Sequence, residues 1–159
     1  MEATDDTARL AASVAEVQHR LAVQEAVHRY CWAYDRRDAD ALADLITDDI
    51  VIRSGEEFTG APAALAFWRH TWTRTEASRH HVTNMVISLD GVDGAVAESY
   101  FTSVVVMAGQ SKLVFGSYRD RLVFDGSAWR FREKDHEVHS YGPFADGLRL
   151  PGDEVEWRR

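Results

Sequence analysis

The sequence predicts an α+β domain: three helices in the first half of the chain, then an antiparallel sheet covered by them on one face. Three observations carry this expectation. Apolar residues recur at three- and four-residue spacing as far as Trp72. From Ser78 onward they fall instead into four β-rich segments separated by short turn signals. The 159 residues, 45% hydrophobic and 28% charged with three prolines, suit one globular core, and a run of helices followed by a run of strands packs as two layers. A single domain over 1–159 is therefore expected, with a flexible start over about 1–8 and an irregular tail over about 141–159.

Leu10, Val14, Val17 and Leu21, continued by Val23, Val27, Tyr30 and Tyr34, trace one long amphipathic helix. Asp35-Arg36-Arg37-Asp38 interrupts it, and Asp38 is a good N-cap for a short helix carrying Leu42, Leu45 and Ile46. Ile50-Val51-Ile52 reads as a short strand. Gly60-Ala61-Pro62 then opens a third helix, with Pro62 in its first turn and Leu65, Phe67, Trp68 and Trp72 along its length. The β-rich segments cover about 78–88, 95–108, 112–124 and 128–139, and Asp90-Gly91, Gly109-Gln110 and Asp125-Gly126 connect them as hairpin turns. Segment 95–108 is apolar on both faces, Val96, Val104 and Val106 on one and Ala97, Phe101 and Val105 on the other. The face turned away from the helices is thus expected to meet further copies of the chain, as a dimer or trimer. Gly142, Pro143, Gly147, Pro151 and Gly152 mark the tail, which is expected to cover a pocket mouth or a neighbouring subunit.

Charge and motif content narrow the function. Eighteen basic against 26 acidic residues leave a net charge of −8, which repels nucleic acid and anionic membrane surfaces. No stretch of 18 apolar residues exists, and the opening residues lack the apolar core of a secretory signal. The lone Cys31 has no partner for an internal disulfide, so a reducing, cytoplasmic setting is expected. No glycine-rich phosphate loop, GxSxG elbow or HExxH helix is found. Neighbouring strand residues point to opposite faces, so His80 and His81 cannot chelate one ion together. The expectation is no metal and no cofactor, which leaves acid–base chemistry by side chains.

Two segments carry it. Tyr30 and Tyr34 lie four residues apart on one helix face with Asp35 at its end. In Ser78–Asn84, alternation puts His80, Val82 and Asn84 on one face and His81, Thr83 and Met85 on the other, and His81 replaces His80 if the register slips by one. A neutral histidine takes up a proton near pH 7, and an adjacent carboxylate orients it and stabilises the imidazolium; Asp35 is the candidate. A tyrosine hydroxyl in an apolar cavity donates to a carbonyl oxygen as enolate charge develops. Trp68 reads as core with a possible substrate contact, and His136, between Asp135 and Glu137, as a rim or surface group.

These motifs, in this order and spanning most of residues 10–140, resemble the SnoaL-like branch of the NTF2-like superfamily. Tyr34-Asp35-Arg36-Arg37-Asp38-Ala39-Asp40 looks like the corner motif of scytalone dehydratase. Tyr30 with Asp35 is similar to the pair in bile-acid dehydratases, and Arg79-His80-His81 resembles the catalytic histidine strand. The resemblance implies an NTF2-like cone, three N-terminal helices packed on a strongly curved, mainly antiparallel sheet, with an apolar cavity and no cofactor. It implies His80, Asp35, Tyr34 and Tyr30 as catalytic residues, and Tyr100, Trp68, Asn84 and Ser117 as substrate contacts. Tyr100 falls where scytalone dehydratase has a second histidine, and Ser117 where that family keeps a pocket amide. The implied activity is that of a dehydratase, isomerase or cyclase on a small hydrophobic carbonyl compound such as a polyketide, steroid or aromatic metabolite. The alternative is a noncatalytic binding or assembly module of the ring-hydroxylating oxygenase small-subunit type, or a hydrophobic ligand carrier.

Overall fold

The helical spacing of the first half and the alternation of the second both appear in the computed structural model, which describes residues 2–144, with side chains from Asp5 onward. Helix α1 (Glu2–Arg36) is followed by the short α2 (Ala39–Asp44) and by α3 (Ala61–Arg74), which comes after a hairpin of β1 (Ile46–Ser54) and β2 (Glu56–Thr59). Four long strands follow: β3 (Ala77–Asp90), β4 (Gly94–Met107), β5 (Gln110–Phe124) and β6 (Trp129–Pro143). Helix α1 is already formed at Glu2, although its first residues lack apolar periodicity, so a helix stands where a flexible start over 1–8 was expected. Strand β6 likewise takes up 141–143, and Phe144 N–H donates to Ser111 C=O at 2.9 Å; the rest of the expected tail, 145–159, lies outside the described residues.

The strands form one curved sheet in the order β2-β1-β6-β5-β4-β3. All neighbours are antiparallel except β1 and β6, which run parallel and join the early hairpin to the later strands. Sequence spacing placed Ile46 on the second helix. In the structure it opens β1 and packs in the core, because α2 ends at Asp44 and Leu45 caps it. The four-residue β2, with Phe58 as its single large apolar residue, gave no alternation to read. Asp38 caps α2 as expected, accepting the Ala41 N–H at 2.9 Å.

The core lies between the helices and the concave face. Val23, Val27 and Tyr30 of α1, Trp68 and Trp72 of α3, Ile50 and Ile52 of β1, and Leu122 and Phe131 of the later strands meet there. Only the second half of α1 takes part; Leu10, Val14, Val17 and Leu21 stay 47–66% exposed. Beneath the site, Lys134 and Asp120 form a buried ion pair at 3.0 and 3.1 Å, with the ammonium 4.1 Å from the Tyr30 ring centre and 3.9 Å from that of Tyr118. Burial pushes the Asp120 carboxyl up while the Lys134 charge opposes it. No helix of the described chain is long and apolar enough to cross a membrane.

Candidate functional site

The end of α1 and the start of β3 are tied together by side chains from the corner motif. Past α1, Arg37 takes a left-handed conformation, φ 60°, and Asp38 N–H donates to Ala33 C=O at 2.9 Å, turning the chain sharply. The Arg37 guanidinium reaches the carbonyls of Thr75 and Glu76 at 2.5 and 2.9 Å, which holds the entry to β3 against this corner. Asp35 completes the clamp. Its carboxylate accepts from the Ser78 hydroxyl at 2.7 Å, the His80 backbone N–H at 2.8 Å and His80 Nδ1 at 2.6 Å.

This geometry fixes the imidazole. A carboxylate only accepts, so the short contact places the proton on Nδ1 and leaves the Nε2 lone pair free. Both side chains are largely buried, at 12% and 9% exposure for His80 and Asp35. Burial alone pushes the Asp35 carboxyl up, but the bond and charge of the His80 ring, the His80 backbone N–H and the Ser78 hydroxyl together hold it below its ordinary value. Asp35 therefore stays a carboxylate at neutral pH. Tyr34 stands edge-on to the imidazole, ring centres 5.2 Å apart; burial, opposed by a hydrogen bond with Thr71, pushes its phenol up to about 12, so it remains a proton donor. Cys31, one turn back on α1, is buried and its thiol is pushed up to about 12, which makes it a poor nucleophile.

His80 borders a cavity of about 550 Å³ between α3 and the concave face, walled by Tyr34, Phe67, Phe101, Val105 and Val114 beside His136, with Asp35 bonded to His80 from outside this wall. An inner recess of about 110 Å³ continues toward Tyr30, Trp68, Tyr118 and Lys134. The volume and apolar lining suit a small hydrophobic compound. Among the described residues, no three His, Cys, Asp or Glu side chains are grouped to hold a metal ion.

The predicted residues divide into two sets. His80 and Tyr34 line the cavity, Asp35 reaches it only through its bond to His80, and His81 is exposed on the opposite face. Tyr30 and Trp68 lie one layer deeper, 7% and 1% exposed, where their rings meet edge-on with centres 5.7 Å apart and border only the recess. Asn84, Tyr100 and Ser117 do not reach the cavity. Asn84 occupies a bulge with φ 53°: Ser78, His80 and Val82 face inward, Thr83 and Asn84 both face out, and Met85, Ile87 and Leu89 face inward again. Tyr100 and Ser117 are cross-strand partners on the convex face, because their neighbours Phe101 and Tyr118 take the inner positions. Ser117 bonds His139 there at 3.1 Å.

Sequence reading missed His136 as a cavity residue. Strict alternation from Trp129 and Phe131 makes residue 136 outward-facing, but a register irregularity opposite Arg121 and Leu122 turns Lys134 and His136 inward. Val138, two residues on and also at the cavity, is the signal that would have found it.

The fold has known counterparts. The LinA-type3 hexachlorocyclohexane dehydrochlorinase from Novosphingobium barchaimii superposes with a TM-score of 0.80 at 19% identity, over 87% of this chain and 99% of that one. A scytalone dehydratase-like protein from Novosphingobium aromaticivorans gives 0.77 at 17% identity, over 91% and 99%. The protein Aln2 from a Streptomyces species gives 0.68 at 21%, over 76% and 91%. At these identities the likeness concerns the NTF2-like fold. No curated protein sequence matches the chain. The model of the SnoaL-like domain matches residues 15–135, a span that holds the corner, the dyad and most of the sheet, and the chain belongs to that family.

Proposed function

We propose that the protein is a cofactor-independent acid–base enzyme that removes a proton from carbon in a small hydrophobic carbonyl substrate. The supporting observation is the His80–Asp35 contact at 2.6 Å, at the wall of an apolar cavity. His80 Nε2 takes the proton, and Asp35 stabilises the imidazolium that forms. The electron pair left on carbon moves toward the carbonyl, and Tyr34 donates a hydrogen bond to the oxygen as it gains charge. If a hydroxyl stands on the next carbon, it departs as hydroxide, recovers the proton from His80 and leaves as water. Without such a group the proton returns to another carbon, giving isomerisation, or the carbanion attacks a second carbonyl and closes a ring, and the alkoxide so formed recovers the proton from His80. Elimination is the outcome in best accord with the family and its dehydratase-type structural relatives.

The test is hydrogen exchange of a bound ketone such as 2-tetralone in D2O, followed by NMR. His80→Ala and Asp35→Asn should each lower the exchange rate by about 10²–10⁴ while the variants stay folded. Undiminished exchange in both would refute the dyad. Tight binding of the ketone with no exchange by the wild-type protein would favour the carrier reading.

A further inference from the structure

His136 differs from every other polar group of the cavity wall in how its two nitrogens are satisfied. Nδ1 contacts the Ser54 hydroxyl at 2.9 Å, whereas Nε2 is buried and meets no hydrogen-bond partner. The ring is wedged against Phe101 and Tyr118, centres 4.9 and 5.4 Å apart, and borders both the main cavity and the inner recess. Leaving a buried polar atom unpaired is costly, and such atoms in a folded protein call for a missing partner. The cavity holds a second one. Ser103 Oγ, at 1% exposure and directly across the strand from His80, is also unpartnered. Two orphaned atoms on the walls of one largely apolar hollow point to an oxygenated ligand.

We propose that His136 Nε2–H is the hydrogen-bond donor that holds the substrate oxygen on which negative charge develops. This deepens the reading above by placing that oxygen at the inner end of the cavity, where the recess is bordered by Tyr34 as well as His136, so that the oxygen accepts from both. The assignment specifies the tautomer. In this assignment the Ser54 hydroxyl donates to Nδ1 at 2.9 Å and the ring proton resides on Nε2. Burial, with the nearby Lys134 and His80 charges, pulls His136 down to about 4, so the ring is neutral at pH 7. A neutral imidazole donates a hydrogen bond without bringing in a counter-charge, and it leaves base duty to His80, the histidine that has a carboxylate partner.

The probe pair is 4-nitrophenolate and nitrobenzene, similar in shape and different in the oxyanion. Wild-type protein should bind the phenolate at least about tenfold more tightly than nitrobenzene, as expected for a bond to a charged oxygen. His136→Phe, which keeps an aromatic ring between Phe101 and Tyr118, should bring the two affinities together, and His136→Gln should restore part of the difference. Nitrogen NMR of His136 at pH 7 should show a neutral ring protonated at Nε2. No phenolate preference in the wild type, its persistence in His136→Phe, or a proton on Nδ1 would overturn the assignment. His80→Ala separates the two proposals, because it removes exchange and should leave the phenolate preference in place.

Discussion

Asp35 and His136 use burial in opposite ways, and their titration separates them. His136 has its folded value lowered to about 4 from the ordinary 6.5, so between those values the unfolded chain takes up a proton that the folded chain refuses. The stability held by the neutral ring is thus fully present above pH 6.5 and lost as pH falls toward 4, on the order of 3 kcal/mol. Asp35 is also lowered, from an ordinary 3.8, so its contribution is present above 3.8 and is lost only as pH falls below it, through the folded value. Urea denaturation midpoints measured from pH 7 to 4 should fall steeply for wild type and much less for His136→Phe; parallel curves would contradict the buried neutral ring. These residues were unequally legible in the sequence. Asp35 and His80 could be paired from it because helix spacing and strand alternation are both intact where they lie. Asn84 and His136 could not, since one extra residue in a strand reverses every later side chain and alternation alone does not mark where that happens.

At the scale of elements, the helices and four long strands were readable because each carries many repeats of its own period. The parallel pairing of β1 with β6 was not, because it joins residues such as Arg53 and Asp135 that are far apart in the chain. The seam between β5 and β6 has its own requirement. Gly116 lies beside the bulge, and a Cβ there would stand 2.1 Å from the Glu137 carbonyl and 2.4 Å from the Phe101 ring, neither of which can yield easily. Phe101 is 2% exposed and forms part of the cavity wall next to His80. Gly116→Ala should therefore destabilise the protein by about 1–3 kcal/mol and weaken binding of apolar probes, both measurable on one preparation. Unchanged stability would mean that the two strands can part without cost.

For the whole molecule, the convex face is where the oligomer expectation now rests. Tyr100 and Phe115 are 56% and 44% exposed there, with Val104 and Leu113 paired next to them. We propose that copies of the chain meet on this patch, which gives Tyr100 a packing role in place of the substrate contact expected of it. Sedimentation should show an oligomer for wild type and a monomer for the double substitution Tyr100→Glu, Phe115→Glu; a monomeric wild type would remove the proposal. The order of strands has a further consequence, for the time course of synthesis. Of the described strands, β6 is the last to leave the ribosome, yet it lies mid-sheet, between β1 and β5. Until it emerges, the early hairpin and the β3–β5 meander remain separate pieces with open edges. The nascent chain thus gains His136 and a continuous sheet in a single late event, so that an interrupted translation product has neither.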